Sequence, residues 1–130
     1  MSYIIDTKNA PHAIGPYSQA IKIDNFLIIS GQIPIDIKSQ KIPKNIKEQT
    51  NIVLKNIQSI IHAAGLEVKD IIKTTIFLTD LKNMHIVNDI YKKFFIENKA
   101  NFPARSCVEI SALPKDADIE IEAMAYLIKN

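Results

Sequence analysis

Residues 70–80, DIIKTTIFLTD, are β-branched and apolar at both odd and even positions. A strand with one solvated face would alternate, so this stretch reads as a central strand covered on both sides. It is flanked by segments of another period. Upstream, residues 46–64, IKEQTNIVLKNIQSIIHAA, set Val53, Leu54, Ile57, Ile60, Ile61 and Ala64 at helical spacing, which predicts a helix with one apolar face. Gly65-Leu66 then supplies a C-terminal glycine cap and an apolar residue that can pack back on the helix. Downstream, Val87, Ile90, Tyr91, Phe94 and Phe95 fall at i, i+3, i+4, i+7 and i+8, the signature of a second amphipathic helix.

Farther out, SQAIKI (18–23), the pair Asp24-Asn25 and the apolar run FLIIS (26–30) predict a hairpin with a tight turn. SGQIP (30–34) is expected to end its second strand with a glycine and a proline. Pro103 precedes a strand, ARSCVEI (104–110), and after the loop SALPKDAD the chain ends in a long strand, IEIEAMAYLI (119–128). The order strands, helix, strand, helix, strands predicts a single α+β domain over residues 1–130, with one sheet and two helices on one of its faces. The other, Ile-rich face then lacks a cover, and self-association is the simplest remedy.

The composition narrows the class. A chain of 130 residues needs only one core, and 47% hydrophobic with 23% charged residues describes a globular protein. No apolar run approaches the ~20 residues that cross a bilayer. The N-terminus MSYIIDTKNA lacks a basic region followed by an apolar stretch, so the protein is expected to stay where it is made. A single cysteine excludes an internal disulfide and fits a reducing cytoplasm. The net charge is +2, and the lysines are scattered, the longest positive run being Lys92-Lys93; this argues against nucleic acid as the main partner and leaves no membrane role.

Of sixteen lysines and arginines, fifteen are lysine and one is Arg105. Isoleucine supplies 26 of the 130 residues, and lysine and asparagine are also abundant, which points to an AT-rich genome. Such drift would remove an arginine that surface charge alone required and spare one whose planar fork is needed. The period of two puts Arg105, Cys107 and Glu109 on one strand face and Ala104, Ser106, Val108 and Ile110 on the other, with the apolar set expected toward the core. In the last strand Ile119, Ile121, Ala123 and Ala125 share one face, and Glu120, Glu122, Met124 and Tyr126 the other. If the two strands pair, guanidinium and carboxylate line one surface. Arg105 is then either a structural ion pair with Glu120 or Glu122, or a fork that grips a substrate carboxylate through two parallel hydrogen bonds. The absence of other arginines favours the fork. Cys107 lacks a nearby base in sequence for a nucleophilic role. His12, His62 and His85 show no metal-ligand spacing. Gly15 and Gly31 mark turns or close backbone approach to a ligand, and Tyr17 is either a core aromatic or an exposed ring.

The set IGPYSQA (14–20), SGQIP (30–34), Asn88, FPARSCVEI (102–110) and LPKDADIEIEA (113–123) resembles the RidA family, also called the YjgF family, over nearly the whole chain and without gaps. The resemblance implies a fold like trimeric chorismate mutase: a mixed sheet, two helices on one face, and three subunits packed by their sheets, with each site drawing on two chains. It implies hydrolytic deamination of 2-iminobutanoate and 2-iminopropanoate released by PLP-dependent dehydratases, which protects PLP enzymes and supports branched-chain amino-acid metabolism, and it implies no cofactor. By the same resemblance Arg105 binds the substrate carboxylate and Glu120 positions or activates water. Tyr17 and Asn88 line the pocket, the backbone at Gly31 and Cys107 touches the ligand, and Ser30 is a neighbour. Spacing alone leaves both Glu120 and Glu122 as candidates, and the choice of Glu120 comes from the family. Relatives have also been described as translation inhibitors, ribonucleases and chaperones, so an RNA-directed regulator or a ligand-binding homotrimer is the alternative.

Overall fold

The computed structural model describes residues 2–128. Six strands and two α-helices follow in the order β1 (Ser2–Ile5), β2 (Ala20–Ile23), β3 (Phe26–Gln32), α1 (Ile46–Ala63), β4 (Ile71–Leu78), α2 (Met84–Glu97), β5 (Ala104–Glu109) and β6 (Ile119–Tyr126). The strands form one mixed sheet in the order β1-β2-β3-β6-β4-β5, in which β4 and β5 run parallel and the other neighbours antiparallel. Both helices pack on the same face of the sheet.

Local chemistry sets the ends of α1. The Asn45 side chain accepts a hydrogen bond from the Glu48 backbone N–H at 2.8 Å, which satisfies one orphan donor of the first turn. At the other end Gly65 adopts φ +81°, a left-handed conformation that costs glycine little, and the Gly65 and Leu66 N–H groups close on the His62 and Ile61 carbonyls at 3.0 and 3.1 Å. Leu66 folds back into the core as expected, beside Val53, Ile57, Ile60 and Ile61. From α2, Val87, Tyr91 and Phe95 enter the same core.

The second strand of the hairpin, β3, ends at Gln32, inside SGQIP and before Pro34, after a shift of register between Ile29 and Gln32 where the extra residues leave the ladder. Two expectations need correction. β4 is interior to the sheet, but only its Thr74, Ile76 and Leu78 face is buried; Lys73, Thr75 and Phe77 on the other face are partly open. The two-sided cover read from its composition is therefore absent within one chain. Finally, β5 and β6 do not pair, because β4 lies between them, and the inward face of β5 is the reverse of the one expected. In register, Arg105 sits beside Thr74 and Cys107 beside Ile76, on the helix side, while Ser106 and Val108 turn to the open face. As the edge strand over the end of α2, β5 buries little on either side, so apolar preference does not decide its facing.

The uncovered face is apolar. Ile28, Met124 and Tyr126 remain 42%, 38% and 43% exposed on it, with Ile4 and Ile23 on the neighbouring strands. A strand not read from the sequence, β1, extends this face by pairing with β2.

Candidate functional site

The expected site residues fall into two groups, on opposite faces of one sheet. The first group stands at the β5 edge, on the helix side. The Arg105 guanidinium donates from Nη1 to the Asn88 side-chain oxygen at 2.8 Å and lies over the Tyr91 ring, 5.0 Å from its centroid. Asn88 and Tyr91 are neighbours at i and i+3 on α2, so one helix face supplies both contacts. Below the ring, the Tyr91 and Thr74 hydroxyls share a buried hydrogen bond of 2.7 Å. These residues open onto a cleft of ≈ 380 Å³ lined by Asn88, Tyr91, Lys92, Phe102, Pro103 and Arg105. Neither Glu120 nor Glu122 pairs with Arg105, and among the described residues no carboxylate lies within ion-pair distance of it. The structural ion pair considered for Arg105 is thus not formed within the chain. Asn88 engages one donor of the fork and leaves the others to an incoming acceptor.

Cys107 follows on the same strand face. Its thiol points at the Met84 sulfur at 3.1 Å, and burial pushes its pKa up, with the Arg105 charge pulling weakly the other way. A thiol held protonated is a poor nucleophile. His62 and His85 are exposed; the His85 Nδ1 lies 2.9 Å from the Lys82 carbonyl oxygen at the start of α2. Among the described residues no three His, Cys, Asp or Glu side chains cluster closely enough to hold a metal ion.

The second group lies on the open face. Tyr17 is exposed: its hydroxyl accepts from the Ile14 N–H at 3.2 Å and its own N–H donates to the Gly15 carbonyl at 2.8 Å, which folds the ring over its own turn. The Ser30 hydroxyl donates to the Ser18 carbonyl at 2.6 Å and ties that turn to β3. Where β3 leaves the ladder, the Glu120 carboxylate rests on Gly31. A Cβ added to Gly31 would come within 2.8 Å of the Glu120 Cδ, so glycine there is what gives the carboxylate its seat. Tyr17, Ser30, Gly31, Glu120, Glu122 and Pro114 line a second cleft of ≈ 430 Å³ with Ile14 and Ile33. Burial, and after it the like charge of Glu122, raise the Glu120 pKa. Arg105 is on the other side of the sheet and does not oppose that rise.

The structure therefore brings Arg105, Asn88 and Cys107 together, and separately Tyr17, Ser30, Gly31 and Glu120. It does not bring the guanidinium and the carboxylate together within one chain. Tyr91, Phe102 and Pro114 line the clefts although the sequence marks them only as helix core, strand lead-in and loop. The signal that could have found Tyr91 is its i+3 spacing from Asn88.

Residues 7–127 match the family model described as endoribonuclease L-PSP. The chain is 66% identical over 126 residues to a RutC family protein of Buchnera aphidicola subsp. Acyrthosiphon pisum, an alignment that spans 97% of this chain and 98% of the relative. It is 51% identical over 125 residues to the 2-iminobutanoate/2-iminopropanoate deaminase of Escherichia coli K12, spanning 96% and 98% of the two. Among solved structures, that of E. coli TdcF with bound serine matches with a TM-score of 0.95 at 45% identity, over 97% of this chain and 99% of that one.

Proposed function

The chain belongs to the RidA (YjgF) family, and from that premise we propose that it is a cofactor-independent imine deaminase that hydrolyses small 2-imino acids such as 2-iminobutanoate and 2-iminopropanoate. The observation that carries this reading is the Arg105 fork, held by Asn88 and Tyr91 beside an open cleft and without a carboxylate of its own among the described residues. A guanidinium so placed suits the carboxylate of a 2-imino acid. Two relatives support that ligand class: one is named for the two imino acids, and another was crystallised with serine, which also carries a carboxylate.

The same reading assembles the site between subunits. Three chains packed by their open faces would cover the apolar surface and set the Glu120 group of one chain against the Arg105 group of the next. Arg105 then grips the substrate carboxylate, at ~1.5–3 kcal/mol per charged hydrogen bond, and fixes the C=N carbon. Glu120, seated on Gly31, takes a proton from water as the water oxygen bonds to that carbon and the π electrons move to nitrogen. Glu120 returns that proton to nitrogen, giving the carbinolamine. In its collapse the hydroxyl gives up its proton as the C=O bond forms, the C–N bond breaks with its electron pair going to nitrogen, the nitrogen takes the second proton, and ammonia and a 2-keto acid leave. Tyr17, Ser30 and the backbone at Cys107 border the ligand. Positioned proton transfer of this kind is worth ~10²–10⁴-fold.

The test adds the protein to a threonine dehydratase reaction in which semicarbazide competes for the imine. Faster 2-oxobutanoate formation and less semicarbazone are expected. Arg105→Lys, which keeps the charge and loses the fork, is expected to remove most of that effect, roughly ten- to hundredfold, with the assembly intact; full activity in that variant would sink the assigned role.

RNA cleavage is favoured by one observation, the endoribonuclease description of the matching family model. Under that reading RNA binding would be salt-sensitive and lost on lysine substitutions away from Arg105.

A further inference from the structure

We propose that Tyr91 is the positioning residue that aims the Arg105 fork at the substrate carboxylate, an inference that rests on reading Arg105 as the carboxylate clamp. An arginine on an exposed edge strand has many rotamers of similar energy, and a two-point grip works only when the guanidinium plane is held. Three fixtures hold it. The β4–β5 register puts the Arg105 backbone beside Thr74. The Asn88 oxygen takes one Nη donor at 2.8 Å. The Tyr91 ring lies beneath the guanidinium at 5.0 Å, and its hydroxyl is tied at 2.7 Å to Thr74. The ring is therefore locked to the strand pair that carries the arginine.

The ring is also a suitable floor chemically. Tyr91 is 4% exposed, and burial raises its phenol pKa while the Thr74 hydrogen bond and the Arg105 charge oppose the rise, so the phenol stays neutral. Arg105 meets a π face and not a phenolate, and its full charge remains available to the ligand. A core aromatic with a merely structural role needs no particular charge on its face, which separates the two roles experimentally.

Tyr91 is replaced by phenylalanine and by a graded set of ring-fluorinated phenylalanines, which keep the ring's size and drain negative charge from its face. Pyruvate and pyruvamide binding are measured by calorimetry, alongside KM and kcat on 2-iminobutanoate formed in situ and the thermal midpoint of each variant. The pyruvate Kd and KM are expected to rise together with fluorine content, about tenfold across the set, while kcat and the thermal midpoint change little and pyruvamide, which lacks the carboxylate, shows no trend. A flat series, or a rise that tracks loss of thermal stability, overturns the role of Tyr91 and leaves that of Arg105 standing. A wild-type protein that does not bind pyruvate overturns both.

Discussion

Glu120 concentrates the pH behaviour of the molecule. Burial and then Glu122 raise its pKa, so the folded chain holds this proton more tightly than the unfolded chain does. The stability contributed by such a group is complete below the ordinary carboxylate range and is lost as pH rises through the raised folded value. Glu120→Gln is accordingly expected to be more stable than wild type near neutral pH, the gap closing in acid. If Glu120 is the base, activity runs the other way, because a general base works only when deprotonated: kcat/KM should climb with pH through the Glu120 pKa, which an Arg105 from the next chain would pull down from the raised value of the single chain. Glu122→Gln removes the like charge and is expected to move that acid limb to lower pH. A pH profile of kcat/KM reads both effects, and an unmoved limb removes Glu120 from the role of base.

At the level of elements, the joint between α2 and β4 matters most, since it supports the ring beneath Arg105. The buried Thr74–Tyr91 hydrogen bond fastens helix to strand. Thr74→Val is expected to cost about 1–3 kcal/mol in urea unfolding, because it strands a buried phenol, whereas Thr74→Val with Tyr91→Phe removes both partners and should recover much of that loss. Such elements differ in how far the sequence discloses them. Helices α1 and α2 and strand β6 are legible because a buried stripe repeats along each of them. β1 is not, since four residues become a strand only by pairing with β2. The facing of β5 is illegible for another reason: both of its sides are largely open, so Val108 has no core to seek and Arg105 reaches α2 instead. Arg105 itself stands out by being the only arginine, whereas Glu120 and Glu122 share a strand face and only family resemblance separates them in the sequence; the contact of the Glu120 carboxylate with Gly31 is not legible there.

For the whole molecule, the decisive feature is the sheet that divides Arg105 from Glu120. If each site takes its fork from one chain and its carboxylate from the next, Arg105→Lys and Glu120→Gln proteins each keep only a small residual activity alone. Unfolded together and refolded as a mixture, they should regain about a quarter of wild-type activity, the share of sites that receive an intact residue from both chains in a symmetric ring. An inactive mixture containing hybrid assemblies would exclude sites shared between chains. The dividing sheet also bears on biosynthesis. A finished, folded chain carries Arg105 and Glu120 back to back, like two hands that cannot reach the same object. Catalytic competence would then begin at the last step of maturation, when chains meet, so that a chain still at the ribosome or left without partners is chemically idle however perfectly it has folded.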